Sequence, residues 1–279
     1  MSAYARLPAG VVAATLGAIA TSSPELMVGI TSASQGIPEI SLGDVTGSNV
    51  VNIAVILAIP IALYGLVTTR DAVLRDLPFA LSVFPLLVLV GRDGRVTSVD
   101  ALLLLSVFLV WLALVIRWAS RNRTEASTKA PGSFFLLVTV AVGFLTLVLA
   151  GQLIVSGASG LAAAAGLPAF FIGVTIVAFG TSVPELATVI ISSLRGHQEV
   201  GLQTILGSNV FNCLFIIPVA ALIHPIRVDW ATMTPTLLAG FVATLLTMPV
   251  GVWRLGRWRG VALFAVYVAF IAQTVMAVQ

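Results

Sequence analysis

Two glutamates, Glu25 and Glu185, stand inside otherwise apolar runs, each within a Thr-Ser-x-Pro-Glu-Leu sequence. A charged carboxylate at membrane depth costs about 2.5–3.5 kcal/mol on insertion scales, so an ion, a proton or a hydrogen-bonding partner must offset it. Thr21 and Thr181 precede the glutamates by four residues and Ser22 and Ser182 by three, which on a helix places hydroxyls and carboxylate on one face. Pro24 and Pro184 lack an N–H and free the carbonyls of Ala20 and Gly180. Free carbonyls at membrane depth must line a cavity or meet a cation. Taken singly, each feature has a blander reading: a lone Glu packs as a neutral acid, and Ser or Thr bonds back to its own helix. Taken together they form a dense set of hard oxygen donors of the kind calcium and sodium prefer.

The set occurs twice. Residues 21–26 map onto 181–186 at an offset of 160, and the same offset carries Gly36 onto Gly196, Glu39 onto Glu199, Gly47-Ser48-Asn49-Val50 onto Gly207-Ser208-Asn209-Val210, and Asn52 onto Asn212. Ser48 and Asn52 are spaced i, i+4, as are Ser208 and Asn212, so each second helix carries a polar stripe beside a glycine. Such a stripe in an isolated bundle reads as interhelical glue. Its membership in the same repeat as the glutamates favours a ligand role. Two glutamates neutralise one divalent ion, or are shared among monovalent ions or protons, and that competition is the physical basis of exchange. Soft metals are disfavoured, because Cys213 has no repeat partner and His197 and His224 fall at span ends.

These residues need elements that hold them in a bilayer. Of 279 residues, 59% are hydrophobic and 9% charged, which excludes a soluble globule. No clustered basic and aromatic footprint for nucleic acid is present. Apolar runs predict an all-α polytopic protein with about nine spans near 7–32, 42–66, 77–91, 99–118, 133–157, 167–194, 201–223, 232–253 and 260–278. A cytoplasmic N-terminus puts 11 of the Lys and Arg residues inside and 3 outside, with the C-terminus outside. The expected halves are 1–118 with four spans, a cytoplasmic tether 119–132, and 133–279 with five. Five spans separate equivalent helices, so the two copies have opposite orientation: inverted-topology repeats with discontinuous, Pro-interrupted helices. That pattern points to a secondary transporter with a midplane site.

The paired Thr-Ser-x-Pro-Glu-Leu and Gly-Ser-Asn-Val-x-Asn motifs resemble the alpha repeats of the calcium/cation antiporter superfamily, the sodium/calcium exchangers and their prokaryotic relatives. The resemblance covers about residues 7–66 and 133–225. It implies Glu25 and Glu185 as shared metal ligands, with Thr21, Ser22, Thr181 and Ser182 around them. It further implies Ser48 and Ser208 at flanking sodium positions and Asn52 and Asn212 at central polar positions. Some members carry Asp where this chain has Asn212, so the site is expected to hold one acid fewer. Ala20 also replaces the Gly that usually opens the first motif. Family members usually have ten helices, and the span before the second repeat has no counterpart before the first. An empty position is therefore expected beside the helix of Glu25. The implied function is calcium-for-sodium antiport by alternating access in a prokaryotic cell membrane, with lipid, calcium and sodium as partners and no cofactor. Proton- or potassium-coupled exchange is the alternative, as is a truncated cation-binding protein that does not turn over. No nucleotide-binding, serine-hydrolase or zinc-protease motif points to an enzyme. Oligomeric state is not readable from the sequence.

Overall fold

A computed structural model describes residues 13–121, 133–249 and 253–277. The expected tether, 119–132, falls mostly outside them.

The chain is almost wholly helical. Helix α1 is a π turn, Ala13–Gly17, running into Ala18–Thr21, and after a kink at Ser22 it continues as α2, Ser23–Ser34. Next come α3 (Glu39–Tyr64), α4 (Ala72–Gly91), α5 (Ser98–Arg121) and α6 (Ser133–Ala165). Helix α7 comprises Ala169–Ile172, a π turn Gly173–Val177, and Ala178–Thr181, and α8 follows as Val183–Leu194 after a kink at Ser182. Helices α9 (Gln198–Ile223), α10 (Trp230–Leu246) and α11 (Arg257–Met276) complete the chain. Among the described residues six helical stretches are long and apolar enough to cross a membrane, counting α7 and α8 as one, and the protein is an integral membrane protein.

The kinks lie where the prolines require them. Pro24 and Pro184 occupy the first turn of α2 and α8, where no N–H is needed. Ser22 (φ −85°, ψ 15°) and Ser182 (φ −78°, ψ 5°) leave the helical region to join the two segments. Gly36 and Gly196 explain their place in the repeat: both end a helix with φ near +76° and +78°. In each, the next N–H reaches back to a serine carbonyl, Ile37 to Ser32 and His197 to Ser192. A side chain at φ > 0 would strain this closure. Helix α6 runs eight residues beyond the expected 157 because its Ala-rich end propagates until Gly166 closes it. Conversely α10 stops at Leu246 rather than near 253, since Pro249 disfavours helix before it.

Helices α3 and α9 form the centre, each 83% buried over its most apolar stretch. The halves interlock rather than lie side by side. Helix α3 packs on α7, and α9 packs on α1, so each Gly-Ser-Asn helix lies against the kinked helix of the other copy. Short antiparallel pairs tie the ends: β1 (Leu66–Val67) with β4 (Arg254–Leu255), and β2 (Arg95–Val96) with β3 (Ile226–Arg227).

One expectation is corrected. Helix α6 packs along α2, with Gly151 against the backbone of Met27, so the helix bearing Glu25 is covered. The uncovered face belongs to α8: Val183, Ile190, Ile191 and Leu194 are exposed there, whereas the corresponding Ser23, Ile30 and Thr31 of α2 are half-buried. The broken helix of the first copy is reached by the peripheral helix of the second, which sequence offsets do not convey.

Away from this centre, Asp76 is fully buried and accepts two 2.8 Å bonds from Arg75, whose guanidinium stacks 4.9 Å from the Trp118 ring. Removing one partner of a buried pair strands the other charge at a cost of about 3–5 kcal/mol. Asp76→Asn should therefore lower the thermal midpoint of the detergent-solubilised protein clearly, while Arg92→Gln, at an exposed site, should leave it unchanged.

Candidate functional site

The sequence-predicted ligands converge on the space between the two kinked helices and α3 and α9. Glu25, Glu185, Ser22, Ser182, Ser48, Ser208, Asn52 and Asn212 are fully buried and Thr181 nearly so; Thr21 is half-buried. Ala20 and Gly180, whose carbonyls the prolines free, are at exposed positions, so side chains build the buried wall.

Most of the polar contacts cross from one copy to the other. Ser22 Oγ donates to Glu185 Oε1 at 3.0 Å, and Ser208 Oγ donates to the same oxygen at 3.2 Å. Thr21 and Ser208 hydroxyls lie 3.4 Å apart, as do those of Ser48 and Thr181. Ser48 also approaches the Ala178 carbonyl at 3.3 Å.

Four asparagines brace the centre. Asn49 Nδ2 donates to the Asn209 carbonyl at 3.1 Å and Asn209 Nδ2 returns the bond to the Asn49 carbonyl at 3.2 Å. Asn52 Nδ2 donates to Asn209 Oδ1 at 3.0 Å, and Asn212 Nδ2 to Asn49 Oδ1 at 3.1 Å. Asn49 and Asn209 are thus spent on structure, and they consume the amide N–H groups of Asn52 and Asn212 while leaving the Oδ1 of each free. Asn52 and Asn212 also open π turns, Asn52–Leu57 and Asn212–Ile216. Two further π turns, Ala13–Gly17 and Gly173–Val177, are related by the same offset of 160. A π turn re-aims side chains within an otherwise continuous helix and often marks a functional position.

The site contains an acid that repeat matching does not find. Asp44 is fully buried on α3, and its Oδ1 accepts from Thr181 Oγ1 at 2.9 Å and Ser48 Oγ at 3.4 Å. Asp44 lies near Glu25 and Glu185, within electrostatic reach of both. Its signal was present in the sequence, since Asp44, Ser48 and Asn52 are spaced i, i+4, i+8 along one helix face.

Several acceptor oxygens in this space have no protein donor: both of Glu25, Asp44 Oδ2, Glu185 Oε2, and Oδ1 of Asn52 and Asn212. Buried polar atoms are nearly always satisfied. Such a concentration of lone pairs, without a Lys or Arg to answer it, suits a hard cation. Among the described residues no three Asp, Glu, His or Cys side chains form a compact metal-holding group on their own, so hydroxyl and amide oxygens must complete any coordination. Cys213 is buried and accepts from Asn49 at 3.0 Å, and both histidines are exposed, His197 beside Glu199 and His224 against the Pro225 carbonyl. A separate cavity of about 540 Å³ at the β2–β3 end is lined in part by Glu39, His224, Arg227 and Asp229.

The chain is similar to known membrane exchangers. The family model described as sodium/calcium exchanger protein matches residues 1–117 and 135–276. A putative antiporter, CaxA, of Alkalimonas amylolytica is 31% identical over 89% of this chain and 81% of its own length. The sodium/calcium exchanger MaX1 of Methanosarcina acetivorans is 28% identical over 94% of this chain and 87% of its own. A solved structure of the sodium-calcium exchanger NCX_Mj, soaked with sodium and strontium, superposes with a TM-score of 0.73 at 27% identity, covering 97% of this chain and 88% of that one.

Proposed function

Because this chain belongs to the sodium/calcium exchanger protein family, whose relatives are membrane antiporters of cations, we propose that it exchanges calcium for sodium by alternating access at the site of Glu25 and Glu185. Calcium takes both glutamates, with the Asn52 and Asn212 carbonyl oxygens and neighbouring hydroxyls completing its oxygen shell. Sodium ions, each of single charge, divide the same carboxylates and recruit Ser48, Ser208, Thr21, Thr181, Ser22 and Ser182. One ion species must leave before the other enters, and no covalent chemistry is involved. The observation that carries this reading is the cluster of buried acceptor oxygens without donors.

The membrane arrangement follows the same reading. Nine spans, grouped as residues 1–118 and 133–279 around the tether 119–132, form two inverted repeats, and the arginine bias places the N-terminus in the cytoplasm and the C-terminus outside, in a prokaryotic cell membrane. In support, the ladders join β1 to β4 and β2 to β3, two pairs that this topology assigns to one side of the membrane each.

The coupling ion is tested in proteoliposomes loaded in turn with sodium, potassium or an acid interior. Calcium-45 uptake should follow the outward sodium gradient. Uptake driven equally by a proton or potassium gradient, with sodium inert, would replace sodium as the coupling ion.

A further inference from the structure

Far from the ion centre, α4 and α10 meet at two levels and part between them. At one level Gly240 admits the Phe84 ring, which lies edge-to-face with Phe241 at 6.1 Å. At the other, a Cβ on Gly91 would lie 3.4 Å from the Trp230 ring. The gap is a cavity of about 540 Å³ walled by Phe84, Pro85, Val88, Leu237, Leu238 and Phe241, with Trp230 at its end. Val88, Leu238 and Phe241 are exposed, so the groove opens outward to lipid.

The β2–β3 ladder adjoins the Trp230 end, since the Val228 N–H donates to the Gly94 carbonyl at 2.9 Å. The three arginines that the proposed topology leaves outside, Arg92, Arg95 and Arg227, all fall here. The register sets Arg95 directly across from Arg227, so both leave the same face of the ladder, and both are exposed while Val96 and Ile226 are buried. Like charges placed in this way destabilise a strand pair. The carboxylates nearby are spent on other groups: Asp93 accepts from the Arg95 backbone N–H at 3.3 Å, and Asp229 accepts from the Ala231 N–H and the Thr232 hydroxyl, each at 3.1 Å. Among the described residues neither Arg95 nor Arg227 has an ion pair. The ladder at the opposite end has no like-charge pair, with Leu66 facing Leu255 and Val67 facing Arg254.

We propose that this end of the molecule binds one anionic phospholipid, with its phosphate answering Arg95 and Arg227 and an acyl chain in the α4–α10 groove. A phosphate takes paired, charge-assisted bonds from guanidinium groups and cancels their repulsion. Trp230 stands between the charged and apolar parts, as tryptophans do at headgroup level. A zwitterionic lipid fits less well, because its own ammonium already answers its phosphate. The site shares no residue with the ion centre, so its failure would leave the exchange reading untouched.

The test is native mass spectrometry of the delipidated full chain titrated with phosphatidylglycerol or with phosphatidylcholine of the same acyl chains, paired with thermal midpoints. The first phosphatidylglycerol should bind about tenfold more tightly than phosphatidylcholine, the scale of one charge-assisted bond. Arg95→Gln and Arg227→Gln should each abolish that preference, and each should raise the lipid-free midpoint, because the repulsion is gone. Leu238→Trp, which fills the groove, should weaken both lipids alike. Arg254→Gln, on the other ladder, should keep the preference. Equal binding of the two lipids by the wild type overturns the proposal, as does a preference that survives in both arginine variants or is lost equally in Arg254→Gln. A midpoint raised as much by inorganic phosphate as by phosphatidylglycerol would make the ligand a free anion and overturn the lipid assignment.

Discussion

Replacing either Glu25 or Glu185 by glutamine should reduce sodium-driven calcium uptake by about thirtyfold at the least, and by more than about a hundredfold over most of the expected range. Glutamine keeps the shape and one carbonyl oxygen, so packing is preserved while one negative charge leaves a buried centre. Losing one partner of a buried charge interaction costs about 2–5 kcal/mol, and about 2.7 kcal/mol already gives a hundredfold loss. The folded protein should survive, because Glu25 has no hydrogen bond to lose and Glu185 loses at most those from Ser22 and Ser208. Without ions the variants should be at least as stable as the wild type, since an unanswered buried carboxylate is removed. Uptake assays paired with thermal midpoints in and out of calcium would check this. Calcium should raise the midpoint of the wild type and not of the variants. Wild-type uptake in either variant would remove the carboxylates from the mechanism.

The second large effect concerns folding. A Cβ placed on Gly207 would sit 2.1 Å from the Ala14 carbonyl oxygen, and one on Gly47 would sit 2.5 Å from that of Val174. Backbone cannot yield as a side chain end can. These are the contacts by which each central helix meets the kinked helix of the other copy, and small residues at such seams permit the approach. Gly47→Val and Gly207→Val should therefore give no monodisperse folded protein on size-exclusion chromatography. Alanine at either position should cost about 1–3 kcal/mol or more, the usual scale of overpacking. Gly180→Ala is the control, since nothing lies within 4 Å of a Cβ there, although it neighbours Thr181. Normal folding of Gly207→Val would mean that the two halves do not interlock as described.

What the sequence revealed about the site, it revealed through repetition. Thr21, Ser22, Glu25, Ser48 and Asn52 each have an identical counterpart, and these residues meet in space because the copies interlock. Asp44 escaped for the same reason: opposite Thr204, it is invisible to a search for matching pairs, and its intramembrane charge and i, i+4 spacing to Ser48 were the available signals. The structural duties of Asn49 and Asn209 could not be separated from the ligand geometry of Asn52 and Asn212, because a polar stripe does not say which amide is spent on a neighbouring backbone. The π turns left no periodicity of their own, since a single wide turn barely perturbs an apolar pattern. The covering of α2 by α6 was misassigned because offsets along a chain preserve sequence order and carry no information about which copy's peripheral helix crosses the axis. Helix ends erred where local chemistry decides them, at Gly166 and before Pro249.

The central claim is that one site, shared by both copies, holds divalent and monovalent cations in turn. Anomalous diffraction from crystals of the full chain in strontium, collected over a series of sodium concentrations, tests it most directly. The expected result is divalent density between Glu25 and Glu185, within about 2.3–2.6 Å of their oxygens as for calcium, fading as sodium rises. Density confined to the Glu39 and Asp229 cavity, or density at the glutamates that sodium does not displace, would contradict it.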